Sequence, residues 1–215
     1  VDVQNQVLYV PSFSSTLHKS LFDEDILIPD GSARMVFARL RVSNKQTFSV
    51  GLSSLIHPTE FSDFAPEIGM ANSAQNLDLR VWDNDGGKYE ILTQLEANQW
   101  YSMWVLVDTL NNSCQIWLNE ASGEPATSSD KLQADDGDET FSFRSGHHSN
   151  LRTFYIKTAG GSSGTNLGPV YFDDIYVENL STTNLNHPSA ALCGFHPVDF
   201  DGDCDVDPAD FDLFK

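Results

Sequence analysis

The sequence predicts an all-β protein built from two antiparallel sheets, and two observations support this. Short runs rich in Val, Ile, Phe, Tyr and Trp alternate with Gly, Asn, Asp, Ser and Pro, as strands alternate with turns. Apolar residues do not recur at helical spacing before residue 180. Chains of this kind pack as sandwiches or barrels. The predicted strands cover residues 7–10, 34–42, 47–52, 76–82, 88–92, 100–108, 114–118, 141–143, 151–157 and 171–178.

The turns and the domain limits follow from local composition. Residues 84–87 read Asn-Asp-Gly-Gly and provide the positive-φ positions of a tight turn between two predicted strands. After Leu180 the strand pattern stops, and residues 181–198 have the composition of a linker. We therefore expect a sandwich over residues 1–180, a linker over 181–198 and a separate segment over 199–215.

The composition restricts the partners that this chain can have. Its 215 residues include 31 acidic and 12 basic side chains, which gives a formal net charge of −19. Nucleic acids and anionic membranes are recognised by Lys and Arg, so this balance argues against both. No apolar run approaches the roughly 18 residues of a membrane helix, so we expect no membrane insertion. The chain opens directly on a predicted strand, which suggests a processed secreted protein or a fragment of a larger one.

The cysteines give a weaker signal. Three cysteines are too few for a disulfide scaffold. Cys193 and Cys204 can pair with each other, and Cys114 lies among apolar residues of a predicted strand and is expected to be a buried thiol.

The last 17 residues carry acidic side chains at a regular spacing. If Asp199 is loop position one, aspartates also occupy positions three, five, nine and twelve, and position seven supplies a backbone carbonyl. Calcium prefers six to eight oxygen ligands, which such a tightly curled loop points inward. The spacing therefore predicts a Ca²⁺ site. Its expected ligands are Asp199, Asp201, Asp203, Asp205, Asp207 and Asp210.

This loop resembles the first calcium repeat of a type I dockerin, from Asp199 through Val206 to Phe211. Dockerins attach secreted enzymes and binding modules to cohesin proteins, so the resemblance implies a secreted or cell-surface protein with a cohesin-like scaffold partner. Two features depart from the family. Cys204 occupies position six, where the family has glycine, and the chain ends at Lys215 before a second repeat. The segment is therefore an incomplete dockerin-type loop.

Three segments of the predicted sandwich have recognisable strand motifs, namely residues 99–105, 114–119 and 170–177. Through these segments the first 180 residues resemble the concanavalin-like lectins and laminin-G-like modules. The resemblance implies a two-sheet antiparallel jelly-roll sandwich. It also favours a carbohydrate-binding module with a polysaccharide as its partner.

Alternation assigns one side of each strand to the core, and the opposite side combines aromatic with basic or amide side chains. A sugar stacks on rings and hydrogen-bonds to fixed donors, and basic groups favour carboxylated or sulfated glycans. We therefore expect a glycan-binding surface, provided that these strands share one sheet. The alternative is that the tryptophans pack beneath loops, which is the interpretation preferred for Trp100. The predicted ligand-binding residues are Arg39, Arg41, Arg80, Trp82, Trp104, Gln115, Trp117, Tyr155 and Lys157.

Two other functions stay open, although a non-enzymatic role is favoured. The paired glutamates that jelly-roll glucanases carry on one strand are missing from the sequence. Arg39 with Arg41, His57, and residues 155–160 resemble the Arg-rich, Gln-x-His and Tyr-x-Lys-x-Gly strands of jelly-roll alginate lyases, but the glutamine before His57 is absent. A polysaccharide lyase and an adhesive or structural cell-surface domain are therefore the alternatives.

Overall fold

A computed structural model describes most of the predicted sandwich. The described residues are 7–11, 17–21, 27–71, 76–120, 123–145, 150–159, 168–178 and 183–186. The strands, in chain order, are β1 (Leu8–Val10), β2 (Leu17–Leu21), β3 (Ala33–Val42), β4 (Phe48–Ser53), β5 (Glu67–Met70), β6 (Asp78–Asp83), β7 (Lys88–Gln94), β8 (Trp100–Asp108), β9 (Ser113–Glu120), β10 (Phe141–Ser142), β11 (Thr153–Thr158) and β12 (Val170–Val177). Short 3₁₀ turns cover Phe61–Asp63 and Ser128–Asp130.

The strands form two six-stranded antiparallel sheets. Sheet I has the order β1-β12-β3-β8-β9-β10, and sheet II has the order β2-β11-β4-β5-β6-β7. Strands that are distant in sequence lie side by side, since β12 pairs with β3 and β11 pairs with β4. This interleaving of the two ends of the chain confirms the prediction of an all-β, two-sheet antiparallel jelly-roll sandwich.

Ten of the strands fall where the sequence predicts them, and β2 and β5 do not. Strand β2 reads Leu-His-Lys-Ser-Leu, in which the polar residues hide the strand pattern. Strand β5 has four residues, one of which is glycine, a residue that disfavours strands. Both strands are held by their neighbours, because β2 pairs with β11 and β5 lies between β4 and β6.

The core lies between the sheets and contains the apolar rows that alternation predicts. Val36, Leu40, Val105 and Leu79 are all buried there, from both sheets. Full burial of an aliphatic side chain stabilises a fold by about 1.5 to 3 kcal/mol. Cys114 is also buried in this core, and burial raises the pKa of its thiol to about 12. The predicted inward side of the strands is therefore correct.

A second apolar cluster covers part of the outer face of sheet I. It contains Met35, Phe37, Trp104, Trp117 and Ala126. Leu185 packs on this cluster, and its carbonyl accepts a 2.9 Å hydrogen bond from the backbone N–H of Ala126.

Residues 183–186 thus pack on the sandwich, although they belong to the predicted linker. The side chain of Asn184 donates a 2.6 Å hydrogen bond to Glu178. The other residues of the segments 181–198 and 199–215, including the predicted calcium ligands and the Cys193–Cys204 pair, lie outside the described residues. Within the described ranges, no helix has the length and apolar character to cross a membrane.

Candidate functional site

The predicted ligand-binding residues divide between the outer faces of the two sheets. Arg39, Arg41, Trp104, Gln115 and Trp117 belong to β3, β8 and β9 of sheet I. The other four residues belong to β6 and β11 of sheet II, and they are Arg80, Trp82, Tyr155 and Lys157. The condition that these strands share one sheet is therefore not met. The two outer faces point away from each other across the core, and each face has to be considered separately.

On sheet I, two of the predicted platforms are covered. Trp104 is 1% exposed and Trp117 is 5% exposed. The ring of Phe37 meets that of Trp104 edge-on, with 5.0 Å between centroids, and the Trp104 indole N–H donates to the carbonyl of Asn186. These tryptophans are buried by contacts within the protein, as the packing alternative expects. Gln115, on the same face, donates a 3.1 Å hydrogen bond to Thr140.

On sheet II, Tyr155 and Lys157 hold the loop 54–66 against the outer face. The Tyr155 ring is fully buried and stacks on Phe64, with 3.7 Å between centroids and 11° between planes. Its hydroxyl donates a 2.8 Å hydrogen bond to the carbonyl of Glu60, and burial raises its pKa. The Lys157 amine donates to the Thr59 carbonyl and lies 3.1 Å from the Glu60 carboxylate. Both side chains are therefore occupied by this loop.

The sequence of the loop 54–66 and of β4 explains this close contact. A Cβ atom at position 51 would lie 2.0 Å from the Pro66 carbonyl oxygen, so only glycine admits the loop. Asp63 accepts hydrogen bonds from the backbone N–H groups of Thr59 and Glu60 and closes the turn. The loop is thus built to lie on the sheet.

The structure does not assemble the lyase-like constellation. Arg39 and Arg41 lie on sheet I, whereas Tyr155 lies on sheet II with its hydroxyl already bonded. His57 belongs to the loop 54–66, where its Nδ1 atom is 3.2 Å from the amine of Lys19. The three fragments therefore cannot act on one substrate. Among the described residues, no group of three or more His, Cys, Asp or Glu side chains is arranged to hold a metal ion.

The open part of sheet II carries a cluster that combines aromatic rings with charges. We call it the sheet II cluster, and it contains Glu67, Arg80, Trp82, Tyr89 and Arg144. Trp82 meets Tyr89 edge-on, with 5.0 Å between centroids. The guanidinium of Arg144 lies 4.3 Å from the Trp82 ring centroid, and that of Arg80 lies 3.6 Å from the Tyr89 ring centroid. Each ring thus has a cation above it.

Strand register explains why these residues meet. The pairing of β6 with β7 sets Trp82 opposite Tyr89, across the turn at residues 84–87. The pairing of β5 with β6 sets Gly69 opposite Arg80. A Cβ atom at Gly69 would lie 2.1 Å from the Phe48 carbonyl oxygen, so the position next to Arg80 has no side chain. Arg80 and Trp82 therefore stand on the outer face, and the position paired with Arg80 is a buried glycine without a side chain.

Glu67 is the buried residue that holds the sheet II cluster together. Its side chain is fully buried, and it accepts hydrogen bonds from the hydroxyls of Ser49, at 2.5 Å, and Tyr89, at 2.7 Å. Arg144 forms an ion pair with it and also donates to the Tyr89 hydroxyl. A buried carboxylate is tolerated only when it is paired and hydrogen-bonded in this way. Glu67 thus fixes the positions of Tyr89 and Arg144.

The electrostatics of the cluster leave one positive charge without a partner. Burial lowers the pKa of Arg80. Burial also raises the pKa of Tyr89, as does the neighbouring Glu67 charge. For Arg144, burial acts to lower the pKa, but the hydrogen bonds and charges of Glu67 and Tyr89 together outweigh it, and the net shift is upward. Among the described residues Arg80 forms no ion pair. With Arg80 and Arg144 positive and Glu67 negative, the cluster carries an excess of one positive charge.

The open part of sheet I carries a second group of rings and cations. We call it the sheet I row, and it contains Tyr9, Tyr171, Arg41 and Trp100. They occupy directly paired positions on β1, β12, β3 and β8. The Arg41 guanidinium lies 4.2 Å from the Tyr171 ring centroid and 4.9 Å from that of Trp100. Tyr9 is 53% exposed, and its ring centroid is 5.6 Å from that of Tyr171.

Several residues of these two surfaces were missed by sequence reasoning. Tyr89 had a usable signal, because a tight turn at residues 84–87 already sets it opposite Trp82. No such signal exists for Tyr9 and Tyr171, because their neighbours in the row come from distant parts of the chain. Arg144 follows β10 in a loop, and no periodicity indicates that it reaches Glu67. Trp100, for which the packing alternative is preferred, is half-buried and belongs to the sheet I row.

Comparison with solved structures finds matches at low sequence identity. A sialidase matches with a TM-score of 0.47 and 9% identity over 75% of this chain. This chain spans only 15% of that sialidase. A SAP-like pentraxin from Limulus polyphemus matches with a TM-score of 0.47 and 17% identity, over 90% of this chain and 85% of the pentraxin.

A lectin from Ulex europaeus also matches, with a TM-score of 0.47 and 13% identity, over 77% of this chain and 86% of the lectin. Likenesses of this degree do not indicate what this chain binds. No family model matches the chain, and no curated protein does. The fold therefore places the chain among all-β jelly-roll sandwiches, and the ligand has to be argued from the two open surfaces.

Proposed function

We propose that this chain is a carbohydrate-binding module and that the sheet II cluster binds an acidic polysaccharide. The observation that carries the proposal is Arg80, a half-buried cation that is held over Tyr89 beside Trp82 and has no ion pair with any residue that the structure describes. A desolvated guanidinium attracts a carboxylate or sulfate more strongly than a hydrated one does. The protein as a whole has a formal net charge of −19, so this local positive charge is unlike its surroundings.

The rings next to Arg80 supply the other part of a glycan site. Sugars present apolar C–H faces that pack on aromatic rings and hydroxyls that need fixed hydrogen-bonding partners. Trp82 and Tyr89 are half-buried, so they expose part of their surface while their positions are fixed by the cluster. Glu67 and Arg144 hold this arrangement before a ligand arrives, which lowers the entropy cost of binding.

Binding is a better match to this geometry than hydrolysis. A glycosidase needs two carboxyl groups that flank the scissile bond and can exchange protons with it. Glu67 is fully buried and accepts hydrogen bonds from Ser49, Tyr89 and Arg144. These contacts make Glu67 an anchor and leave it unable to reach a substrate. The geometry of the cluster thus favours binding of a glycan over its hydrolysis.

Titration with polysaccharides tests the proposal. Alginate and pectin provide carboxylated chains, heparin a sulfated chain and laminarin a neutral control. We expect binding to one of the acidic chains, and we expect Arg80→Ala to weaken binding at the sheet II cluster at least tenfold, which corresponds to about 1.4 kcal/mol.

Lys88→Ala is the matched control, because it removes the same charge from neighbouring β7 at a position paired with Glu90. It should change the affinity less than twofold. Equal losses in both variants would show that net charge alone drives binding. Binding to none of the acidic polysaccharides would overturn the proposal.

We further propose that the protein is extracellular, that residues 199–215 bind Ca²⁺ and that this segment contacts a cohesin-like scaffold. The support is the aspartate spacing of the loop, from Asp199 to Asp210, and its resemblance to a dockerin repeat. Calorimetric titration of the full chain with CaCl₂ tests the site. Asp201→Ala should abolish heat of binding, and an unchanged isotherm in that variant would refute the ligand assignment.

A further inference from the structure

The sheet I row has the features of a second binding surface, on the face opposite the sheet II cluster. Its residues lie on four adjacent strands in direct register, so the row runs straight across sheet I. Strands are spaced by about 4.8 Å, so three intervals give a length of about 14 Å. A straight, partly exposed row of this length suits an extended chain molecule.

The two neighbouring aromatic rings fix the position of the Arg41 side chain in this row. Tyr171 and Trp100 both contact its guanidinium face, and cation–π contacts of this kind fix the orientation of the group. The Nε atom of Arg41 is buried, which leaves the terminal nitrogens as the donors that can reach a ligand. A guanidinium fixed in this way loses little further freedom when it binds an anion.

The positive charge of Arg41 is also available to a ligand, whereas the charge of Arg39 is paired with carboxylates. Arg39 is two residues away on the same strand and lies 3.3 Å from Asp174 and 3.8 Å from Asp173. Within the part of the chain that the structure describes, Arg41 has no carboxylate at ion-pair distance. The row therefore offers one unpaired cation between aromatic rings. That combination is complementary to a sugar chain bearing carboxylate or sulfate groups.

We propose that the sheet I row is a second site for an acidic polysaccharide, so that one protein molecule binds two chains and cross-links them. This inference rests on the proposed function of the sheet II cluster. The two sites lie on outer faces that point in opposite directions, with the core between them. One extended stretch of glycan cannot lie along both faces at once, so the two sites take separate stretches, which joins chains when they belong to different molecules.

The stoichiometry of binding to short oligosaccharides separates one site from two. Calorimetry of the full-length chain with an alginate hexasaccharide, and in a second arm with a heparin hexasaccharide, should give two sites per protein molecule in the arm that binds. Arg41→Ala and Trp100→Ala should each reduce this number to one, and so should Arg80→Ala. In each variant the remaining site reports that the protein is folded.

Arg34→Ala is the control on sheet I, because Arg34 lies on the same strand as Arg41, outside the row. It should leave two sites. With the long polysaccharide, the unaltered protein should produce turbidity from cross-linking, and Arg41→Ala should abolish it while one site still binds.

The outcomes distinguish this inference from the proposed function. One site in the unaltered protein, lost in Arg80→Ala and kept in Arg41→Ala, would overturn the second site and leave the first. One site lost in Arg41→Ala and kept in Arg80→Ala would overturn the cross-linking and transfer the function to sheet I. Absence of binding in both arms would overturn both proposals.

Discussion

The outer faces of the two sheets carry the same types of residue and differ in what covers them. On sheet I, residues 183–186 cover Trp104, and the amine of Lys131 lies over the Trp117 ring. Arg41 and its ring neighbours, in contrast, stay open. On sheet II, the loop 54–66 covers Tyr155, whereas the Arg80 end stays open. Alternation along a strand therefore distinguishes inside from outside. Chain segments that return over a face decide which outside residues can meet a ligand.

The tryptophans of sheet I provide the largest expected effect. Trp104→Ala should destabilise the protein by about 4 kcal/mol, because it removes a large buried ring and leaves a cavity beneath residues 183–186. Trp100→Ala, four residues earlier on the same strand, should cost about 1 kcal/mol, since it loses mainly exposed cation–π contacts. Guanidinium chloride unfolding measures both. Equal costs would show that the two positions are covered alike.

The buried ion pair of sheet II should give the next largest effect. Glu67→Gln keeps the shape of the side chain but leaves Arg144 without its counter-charge, and we expect a loss of about 3 kcal/mol. The same unfolding experiment applies. Glu90→Gln, which breaks the pair with the exposed Lys88, is the control and should have a much smaller effect.

A double variant sharpens this result. Glu67→Leu together with Arg144→Met replaces both charges by apolar groups and should recover most of the lost stability. If Glu67→Gln alone were as stable as the unaltered protein, Glu67 would not be the anchor of the sheet II cluster.

The smallest effect concerns pH and the neighbour of the sheet I row. Burial, followed by the charge of Asp174, raises the pKa of Asp173 from 3.8 to about 6. Because the folded protein binds this proton more tightly than the unfolded chain, the resulting stability is complete below pH 3.8 and is lost as the pH rises through 6. Asp173→Asn cannot ionise. It should therefore gain about 1 to 2 kcal/mol over the unaltered protein between about pH 4 and pH 7.

Unfolding midpoints measured across that pH range test this expectation. Asp85→Asn, in the exposed turn between β6 and β7, is the control and should follow the unaltered protein at every pH. A constant difference between Asp173→Asn and the unaltered protein would contradict the pKa assignment.

The sequence predicts the architecture well because the relevant signals are local. Alternation within a single strand, as in β8, is enough to place Met103 and Val105 in the core and Trp104 outside it. Turn residues 84–87 are likewise enough to define the β6–β7 hairpin. These features depend on residues that are close together along the chain.

The sites are predicted less well because they depend on contacts between distant residues. Arg41 meets Tyr171 only after β12 inserts beside β3, and Arg144 meets Glu67 only after β10 has paired with β9. Whether an outer side chain is covered also depends on distant residues, since Trp104 is covered by residues about 80 positions later in the chain. A residue pattern read along one strand carries no information on such contacts.

The four tryptophans allow the central claim to be measured in one experiment. Each indole N–H gives its own signal in a ¹⁵N-correlated NMR spectrum, and the chain has one tryptophan near each open surface and two in the second apolar cluster of sheet I. During titration with the bound acidic oligosaccharide, the signals of Trp82 and Trp100 should shift while those of Trp104 and Trp117 stay in place. Shifts confined to Trp104 and Trp117, or no shift at any tryptophan under saturating ligand, would contradict the account.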